Sequence, residues 1–254
     1  MQTVFKISKI LCSLIFLFLF SCGSDHKNGS YTIGVDVAWY GMDFKGQENN
    51  VTGFSRDLLR EISKMKKMKL SFLPVNWDVL ISNLKTKSCD GILSSLPPYI
   101  FNQSTFDFSH PFLMTGPVLI VPVSSAWKSI DQLGGKEIAY LADSDGALIL
   151  EKNPGILIRP YDSIPQALND VVSGAIDGAI VDVVIASSYC QNIYKGQLKI
   201  VTPPLNDLGL RLLTRVHETP PLMHAFNEGL AELKASGAYE ALLKKWSLGQ
   251  GPHK

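Results

Sequence analysis

The body of the chain alternates short apolar runs with longer amphipathic segments. An apolar run over residues 31–35 is followed by a helical pattern, by a second run over 70–75 and by a second helical pattern that begins at Trp77. Short runs that are apolar throughout are typical of strands covered on both faces, as in parallel sheets. The alternation of such strands with helices predicts an α/β fold.

One order of elements occurs twice. A helical pattern leads into Asp90-Gly91 and a short apolar strand, and later another leads into Asp177-Gly178 and a similar strand. The fifth residue after each aspartate is polar, Ser95 in the first copy and Asp182 in the second. Two similar units predict two α/β lobes, although chance similarity is the alternative for units this short.

Polar and aromatic residues follow the predicted strands at their carboxyl ends. Asp36, Trp39 and Tyr40 come just after the first strand, and Ser94 and Ser95 end the strand that precedes them. In open α/β sheets, ligands bind in the crevice outside the carboxyl ends of the strands. We therefore expect the two serines to lie in a binding site.

Three residues carry the chemistry of helix starts. Ser55 and Ser163 are candidate N-caps, and Thr219 followed by proline is typical of a cap and a first helical turn. A last helix is predicted over 238–246, with its apolar side chains facing the first lobe.

Composition and charge exclude several classes of function. The chain has 254 residues, is 46% hydrophobic and has a formal net charge of +1. No long basic stripe is present to neutralise phosphates, which argues against nucleic-acid binding. The cysteines of the body, Cys89 and Cys190, lack metal-ligand or CxxC spacing. We expect both to be free and buried, with no metal and no cofactor.

The N-terminus has the features of an export signal. Lys6 and Lys9 precede an apolar run over 10–20, which is too short for a permanent membrane span, so residues 1–21 are predicted to be a signal peptide. Residues 19–23 resemble a bacterial lipobox, in which the thiol of Cys22 would receive lipid, although Phe20 is bulkier than usual there. The alternative is an ordinary signal peptide with an incidental cysteine.

The lipobox interpretation has consequences for location. Residues 22–30 would be the lipidated cysteine and a short polar tether. The mature protein would then lie outside the cytoplasm, on the periplasmic or cell-surface side, with a lipid anchor in the membrane.

Five segments together resemble the amino-acid family of extracytoplasmic solute-binding proteins of ABC importers. They are residues 53–58, 77–91, 107–112, 175–182 and 237–246. The resemblance implies a two-lobed, type II "Venus flytrap" fold. Lobe 1 is discontinuous, with residues 31–115 plus 208–254, and residues 116–207 form lobe 2. Two hinge strands, near 116–121 and 203–208, would lie at the ends of lobe 2. It also implies a monomer that encloses an amino acid or amine and then docks on an ABC permease and its ATPase.

The resemblance assigns roles to residues on both lobes. Asp182 occupies the position that holds the ligand's α-ammonium, and helix capping is its alternative role. Trp39 and Trp77 match the aromatic walls of the site, with a place in the core as the alternative for either. Asp36 matches a position that often contacts the ligand's side chain.

The lobe-1 loop departs from the family pattern. Ser94 and Ser95 would form the floor of the cleft, but Pro97 and Tyr99 stand where threonines are usual. Asn102 replaces the arginine that normally clamps the ligand's α-carboxylate. A charge-assisted hydrogen bond contributes about 1.5–3 kcal/mol, so this loss weakens carboxylate binding by about one to two orders of magnitude.

The lobe-2 turn departs as well. The glycine-and-hydroxyl turn of the family is Asp143-Ser144-Asp145 here, with Asp143 in place of glycine. Two added acidic groups favour an amine or another cation over a plain α-amino acid. The alternative is that both aspartates cap the following helix while Asn102 still donates one hydrogen bond to a carboxylate.

Two other functions compete with transport. A few relatives, such as cyclohexadienyl dehydratases, turn over their ligand, but no nucleophile elbow or metal cluster is visible, and we expect no enzyme. A sensory or adhesive lipoprotein on the same fold is the second alternative.

The missing arginine generates a direct test. We expect Asn102→Arg to strengthen binding of free amino acids by about tenfold or more, because it restores a bidentate partner for the carboxylate. Isothermal titration calorimetry of both proteins measures the change. Unchanged or weaker affinity in the variant contradicts the expectation.

Overall fold

The computed structural model describes residues 29–40, 42–142, 144–249 and 251–252. The predicted signal peptide, the lipidation site Cys22 and all but the last residues of the tether lie outside these ranges. Within them, no helix is both long enough and apolar enough to cross a membrane.

The described elements alternate between strands and helices along most of the chain. The first half contains β1 (Ser30–Asp36), α1 (Glu48–Met65), β2 (Lys69–Val75), α2 (Trp77–Lys85), β3 (Gly91–Ser94), α3 (Ile100–Gln103), β4 (Phe106–Phe108), β5 (Leu113–Met114) and β6 (Pro117–Pro122). The second half contains a 3-10 turn (Ile130–Gln132), β7 (Glu137–Leu141), α4 (Gly146–Glu151), β8 (Leu157–Tyr161), α5 (Ile164–Ser173), β9 (Gly178–Asp182), α6 (Val183–Gln191), β10 (Leu198–Ile200), β11 (Gly209–Arg215), α7 (Pro220–Ala235) and α8 (Ala238–Lys245).

The strands form two sheets. The first has the order β2-β1-β3-β11-β4, with β5 paired to β11, and the second has the order β10-β6-β9-β7-β8. In the first sheet, β1 is parallel to β2 and β3, whereas β11 is antiparallel to β3, β4 and β5. β11 therefore returns the end of the chain to the sheet that the N-terminal part began.

Among the predicted apolar runs, β1 and β3 are inner strands, whereas the run 70–75 is the edge strand β2 and is only half-buried. β1 and β3 are buried along nearly their whole length, and α1 covers the first sheet with the stripe Phe54, Leu58 and Ile62, all fully buried. Each such side chain contributes about 1.5–3 kcal/mol when it leaves water. The largest apolar cluster continues into the second sheet through Val118 and Ile120.

Two segments connect the sheets and are bonded to each other. The backbone N–H of Thr115 donates to Leu208 O at 3.0 Å, and that of Leu205 donates to Pro117 O at 2.8 Å. Gly116 allows the close approach, since a Cβ there would lie 2.0 Å from Oδ1 of Asn206. The expected hinge strand at 203–208 differs from the structure, in which this segment is irregular.

The end of the chain packs against both sheets. α8 lies on α1, where Asp57 accepts hydrogen bonds from Lys245 Nζ at 2.6 Å and Trp246 Nε1 at 3.0 Å. Beyond it, Gly249 lies so close to α6 that a Cβ would be 2.5 Å from Ser187 Oγ. The C-terminal segment therefore crosses from the first sheet's helices to those of the second.

The local predictions agree with the structure only in part. Ser163 caps α5 by accepting from the N–H of Gln166. α7 begins at Pro220 as predicted, but the side chain of Thr219 makes no capping hydrogen bond. Ser55, however, lies inside α1, which begins at Glu48, and its hydroxyl donates to Val51 O. Cys89 and Cys190 are free; the first is buried and the second is half-buried.

The packing of α1 against Trp246 leads to a stability prediction. A Cβ at Gly53 would lie 2.2–2.6 Å from three ring carbons of Trp246. We expect Gly53→Ala to lower the free energy of unfolding by about 1–3 kcal/mol, the usual cost of overpacking, as measured by chemical denaturation.

The control is the same substitution in a Trp246→Ala background. There the clash is absent, and alanine is favoured over glycine in a helix by up to about 1 kcal/mol, so the change should be neutral or stabilising. Equal destabilisation in both backgrounds contradicts the packing argument.

Candidate functional site

Asp182 lies at the end of a strand of the second sheet and borders the space between the two sheets. It ends β9 and immediately precedes α6. Its side chain lines a cavity of about 520 Å³. That cavity is bordered on one side by residues 42–45, which follow β1, and on the other by residues at the ends of β7 and β8. Asp182 therefore faces residues that follow strands of both sheets.

The carboxylate of Asp182 is half-buried and lacks a compensating partner. No described residue donates a hydrogen bond to it, although it occupies the N-cap position of α6. Burial, together with the neighbouring carboxylates of Asp145 and Asp43, raises its pKa to about 6. A carboxyl group in this state is stabilised by any cation that enters the cavity.

The turn before α4 supplies the remaining lobe-2 candidates. Ser144 donates from Oγ to Leu141 O at 2.8 Å and accepts from the N–H of Gly146 at 3.3 Å, so its hydroxyl stabilises the turn. Asp145 precedes α4 without capping it and lines both main cavities. Asp143 lies outside the described residues.

Two predicted lobe-1 site residues make internal contacts instead. The carboxylate of Asp36 accepts from the backbone N–H groups of Ala38 at 3.1 Å and Tyr40 at 2.7 Å. The ring of Trp39 is buried, and its Nε1 donates to Thr52 Oγ1 at 2.9 Å. The structure thus gives Trp39 the core position that was its alternative, and neither residue lines the two main cavities.

An aromatic pair lies on the surface beyond β1. Tyr40 is 67% exposed, and its ring centroid lies 6.0 Å from that of the half-buried Trp77, the first residue of α2. The sequence predicted Trp77 as a wall of the site, and the structure shows that Tyr40 is its neighbour.

The loop between β3 and α3 borders a larger cavity of about 830 Å³. Pro97 and the exposed Tyr99 line it from one side, and α4 lines it from the other. Ser94 is buried and accepts from the N–H of Leu96, and Asn102 donates from Nδ2 to Pro97 O at 2.8 Å. Ser95 is half-buried beside them.

Sequence reasoning missed Arg211, which lies on β11 directly opposite Ser94. It lines the larger cavity and a smaller one of about 390 Å³. The available signal was an arginine inside the apolar run 208–213, because charged residues are rarely buried without a partner. The described residues contain no cluster of three or more His, Cys, Asp or Glu side chains suited to a metal ion.

Known proteins resemble this chain over most of its length. The family described as bacterial extracellular solute-binding proteins, family 3, matches residues 31–250. The histidine-binding periplasmic protein of Escherichia coli is 28% identical over 228 residues, which are 84% of this chain and 86% of the relative. The L-cystine-binding protein TcyJ of E. coli is 24% identical over 225 residues, 87% of this chain and 83% of the relative.

A solved structure shows the same fold. The unliganded, open L-cystine solute receptor of Neisseria gonorrhoeae superimposes with a TM-score of 0.70 at 22% identity, covering 90% of this chain and 97% of the receptor. This likeness confirms the predicted two-lobed α/β fold. Because the family match spans nearly all of the described residues, the chain belongs to the bacterial extracellular solute-binding proteins, family 3.

Proposed function

We propose that this protein captures a polar amino acid or a related amine between its two lobes and delivers it to the permease of an ABC importer. Family membership supports solute capture, and the relatives named for histidine and L-cystine support an amino-acid-like ligand. We propose lobes of residues 31–115 plus 208–254 and of 116–207. The protein would be an exported monomer anchored through lipid on Cys22.

The unpaired carboxylate of Asp182 carries this proposal. It lines a cavity bordered by residues that follow strands of both sheets, and the carboxylates of Asp145 and Asp43 raise its pKa. Lys45 lines the same cavity and pairs with Asp43. A buried carboxylate without a hydrogen-bond donor is costly, and a ligand ammonium would remove that cost through a charge-assisted hydrogen bond. The site therefore favours a ligand with a positively charged amine.

The distribution of cavity residues supports a closing mechanism. Tyr99 belongs to the first sheet's loop and Leu148 to α4 of the second, yet both border the larger cavity and both are more than half exposed. A ligand that contacts both lobes stabilises the closed form, because it makes contacts there that it cannot make in the open form. The permease would then recognise the closed form. Since the family is one of binding proteins, we propose binding without turnover of the ligand.

The first test removes the charge of Asp182. We expect Asp182→Asn to weaken binding of the best amine-bearing ligand by about ten- to hundredfold, because one charge-assisted hydrogen bond is lost. A thermal-shift screen of amino acids and amines selects that ligand, and calorimetry measures its affinity. Asp162→Asn is the matched control, since Asp162 is an exposed acid that lines the same cavity. An equal loss of ligand affinity in both variants contradicts the proposed role of Asp182.

The second test uses the raised pKa of Asp182. Because its folded-state pKa is about 6 and its ordinary value is 3.8, the folded state binds the proton more tightly than the unfolded state. The contribution of this group to stability therefore falls as pH rises from about 4 to about 6. We expect ligand-free Asp182→Asn to be more stable than the wild type above pH 6 by up to about 2–3 kcal/mol.

Urea denaturation at several pH values between 3.5 and 7.5 measures this difference. It should shrink toward zero below pH 4, where the aspartate is protonated in both states. A wild type that is more stable than the variant at pH 7 would show that a cationic group of the protein already pairs with Asp182.

A further inference from the structure

The loop that should hold a ligand carboxylate has few donors left. Residues 97 and 98 are prolines and have no backbone N–H. The N–H of Leu96 donates to Ser94 Oγ, and that of Tyr99 donates to Pro97 O. The amide of Asn102 also donates to Pro97 O. The backbone N–H groups of residues 96–99 are therefore not available to a carboxylate at this end of the cavity, and a charged donor from another element would bind it more strongly than the remaining neutral donors.

Arg211 is the buried cation at this end. It is 9% exposed and stands opposite Ser94 in the antiparallel register of β11 and β3, so both side chains project from the same face of the sheet. It lines the larger cavity together with Pro97 and Tyr99. The other cations of that cavity, Lys128 and Lys152, are exposed.

The guanidinium of Arg211 has unused hydrogen-bonding capacity. Its two hydrogen bonds, each 3.0 Å, go from Nη1 to Ser109 O and from Nη2 to Asp207 O. Both acceptors are backbone carbonyls, and no carboxylate of the described residues forms an ion pair with it. An arginine has five N–H donors, so donors remain for an anion. Burial lowers the pKa of Arg211, although the nearby carboxylate of Asp207 acts in the opposite direction.

We propose that Arg211 binds the carboxylate of the ligand. It would take the role of the family's arginine, whose position is occupied by Asn102 in this chain. This inference rests on the proposed function and identifies its ligand as a zwitterion. The ammonium of the ligand would lie toward Asp182 and its carboxylate toward Arg211. The two cavities are adjacent, since Asp145 and Leu208 line both of them.

The test compares amino acids with the amines that remain when their α-carboxylate is removed. The probes are L-histidine with histamine, L-arginine with agmatine, and L-cystine with cystamine. Calorimetry gives the ratio of the two Kd values for each pair that the wild type binds. We expect the wild type to prefer the amino acid by about tenfold or more.

Arg211→Gln should remove this preference. We expect its affinity for the amino acid to fall at least about tenfold, while its affinity for the amine stays within about threefold of the wild type. Arg211→Lys should keep part of the preference, because it retains the charge but loses the bidentate geometry. Asn102→Arg in the Arg211→Gln background should restore it.

Lys152→Gln is the matched control, since it removes an exposed cation from the same cavity and should leave the preference unchanged. Equal losses for both members of a pair in Arg211→Gln would show a structural role and overturn the inference. The absence of any preference in the wild type, or its loss in Lys152→Gln, would overturn the inference and leave the proposed function intact. A wild type that binds none of these probes and no amino acid or amine of the thermal-shift screen contradicts the proposed function itself.

Discussion

The two bonded connections between the sheets are the constraint on which the rest of the structure depends. Thr115 and Leu208 share one backbone hydrogen bond, and Leu205 and Pro117 share another, so the outgoing and returning segments are held side by side. The residues of the candidate site end or follow strands of one sheet or the other. The cleft exists because the chain leaves the first sheet after β5 and returns to it only with β11.

The carboxylates of Asp57 and Asp182 lie in opposite electrostatic environments. Asp57 is buried under Lys245 and Trp246, and its pKa is lowered by these partners, although burial alone would raise it. Asp182 is also largely removed from water, but burial and the carboxylates of Asp145 and Asp43 raise its pKa. The same residue type is thus compensated where it holds helices together and left uncompensated where a ligand would bind. This contrast is typical of functional sites.

Much of the fold could be predicted from the sequence, and less of the site. Buried strands such as β1 and β3 are visible as apolar runs, and Ser163 marks a helix start by its side-chain chemistry. The start of α1 was missed because it carries no such signal: Gln47, at its N-cap, makes no side-chain capping bond.

The direction of a side chain is harder to predict than the element that carries it. Trp39 has a φ of 51° in the turn after β1, and this left-handed conformation accompanies a ring buried in the core. Periodicity gives no information about such a turn. Arg211 was missed for a related reason, since its role depends on β11 pairing with a strand more than a hundred residues earlier.

The contact between the C-terminal segment and α6 affects how the lobes can move. Two adjacent crossings alone would allow one lobe both to bend and to twist relative to the other. The segment after α8 adds a third link, because Gly249 lies against Ser187 with no room for a side chain. In the proposed closing mechanism, three links would restrict the relative motion of the lobes to fewer degrees of freedom. The entropy lost on closing would then be smaller, and more of the ligand's contact energy would remain as affinity.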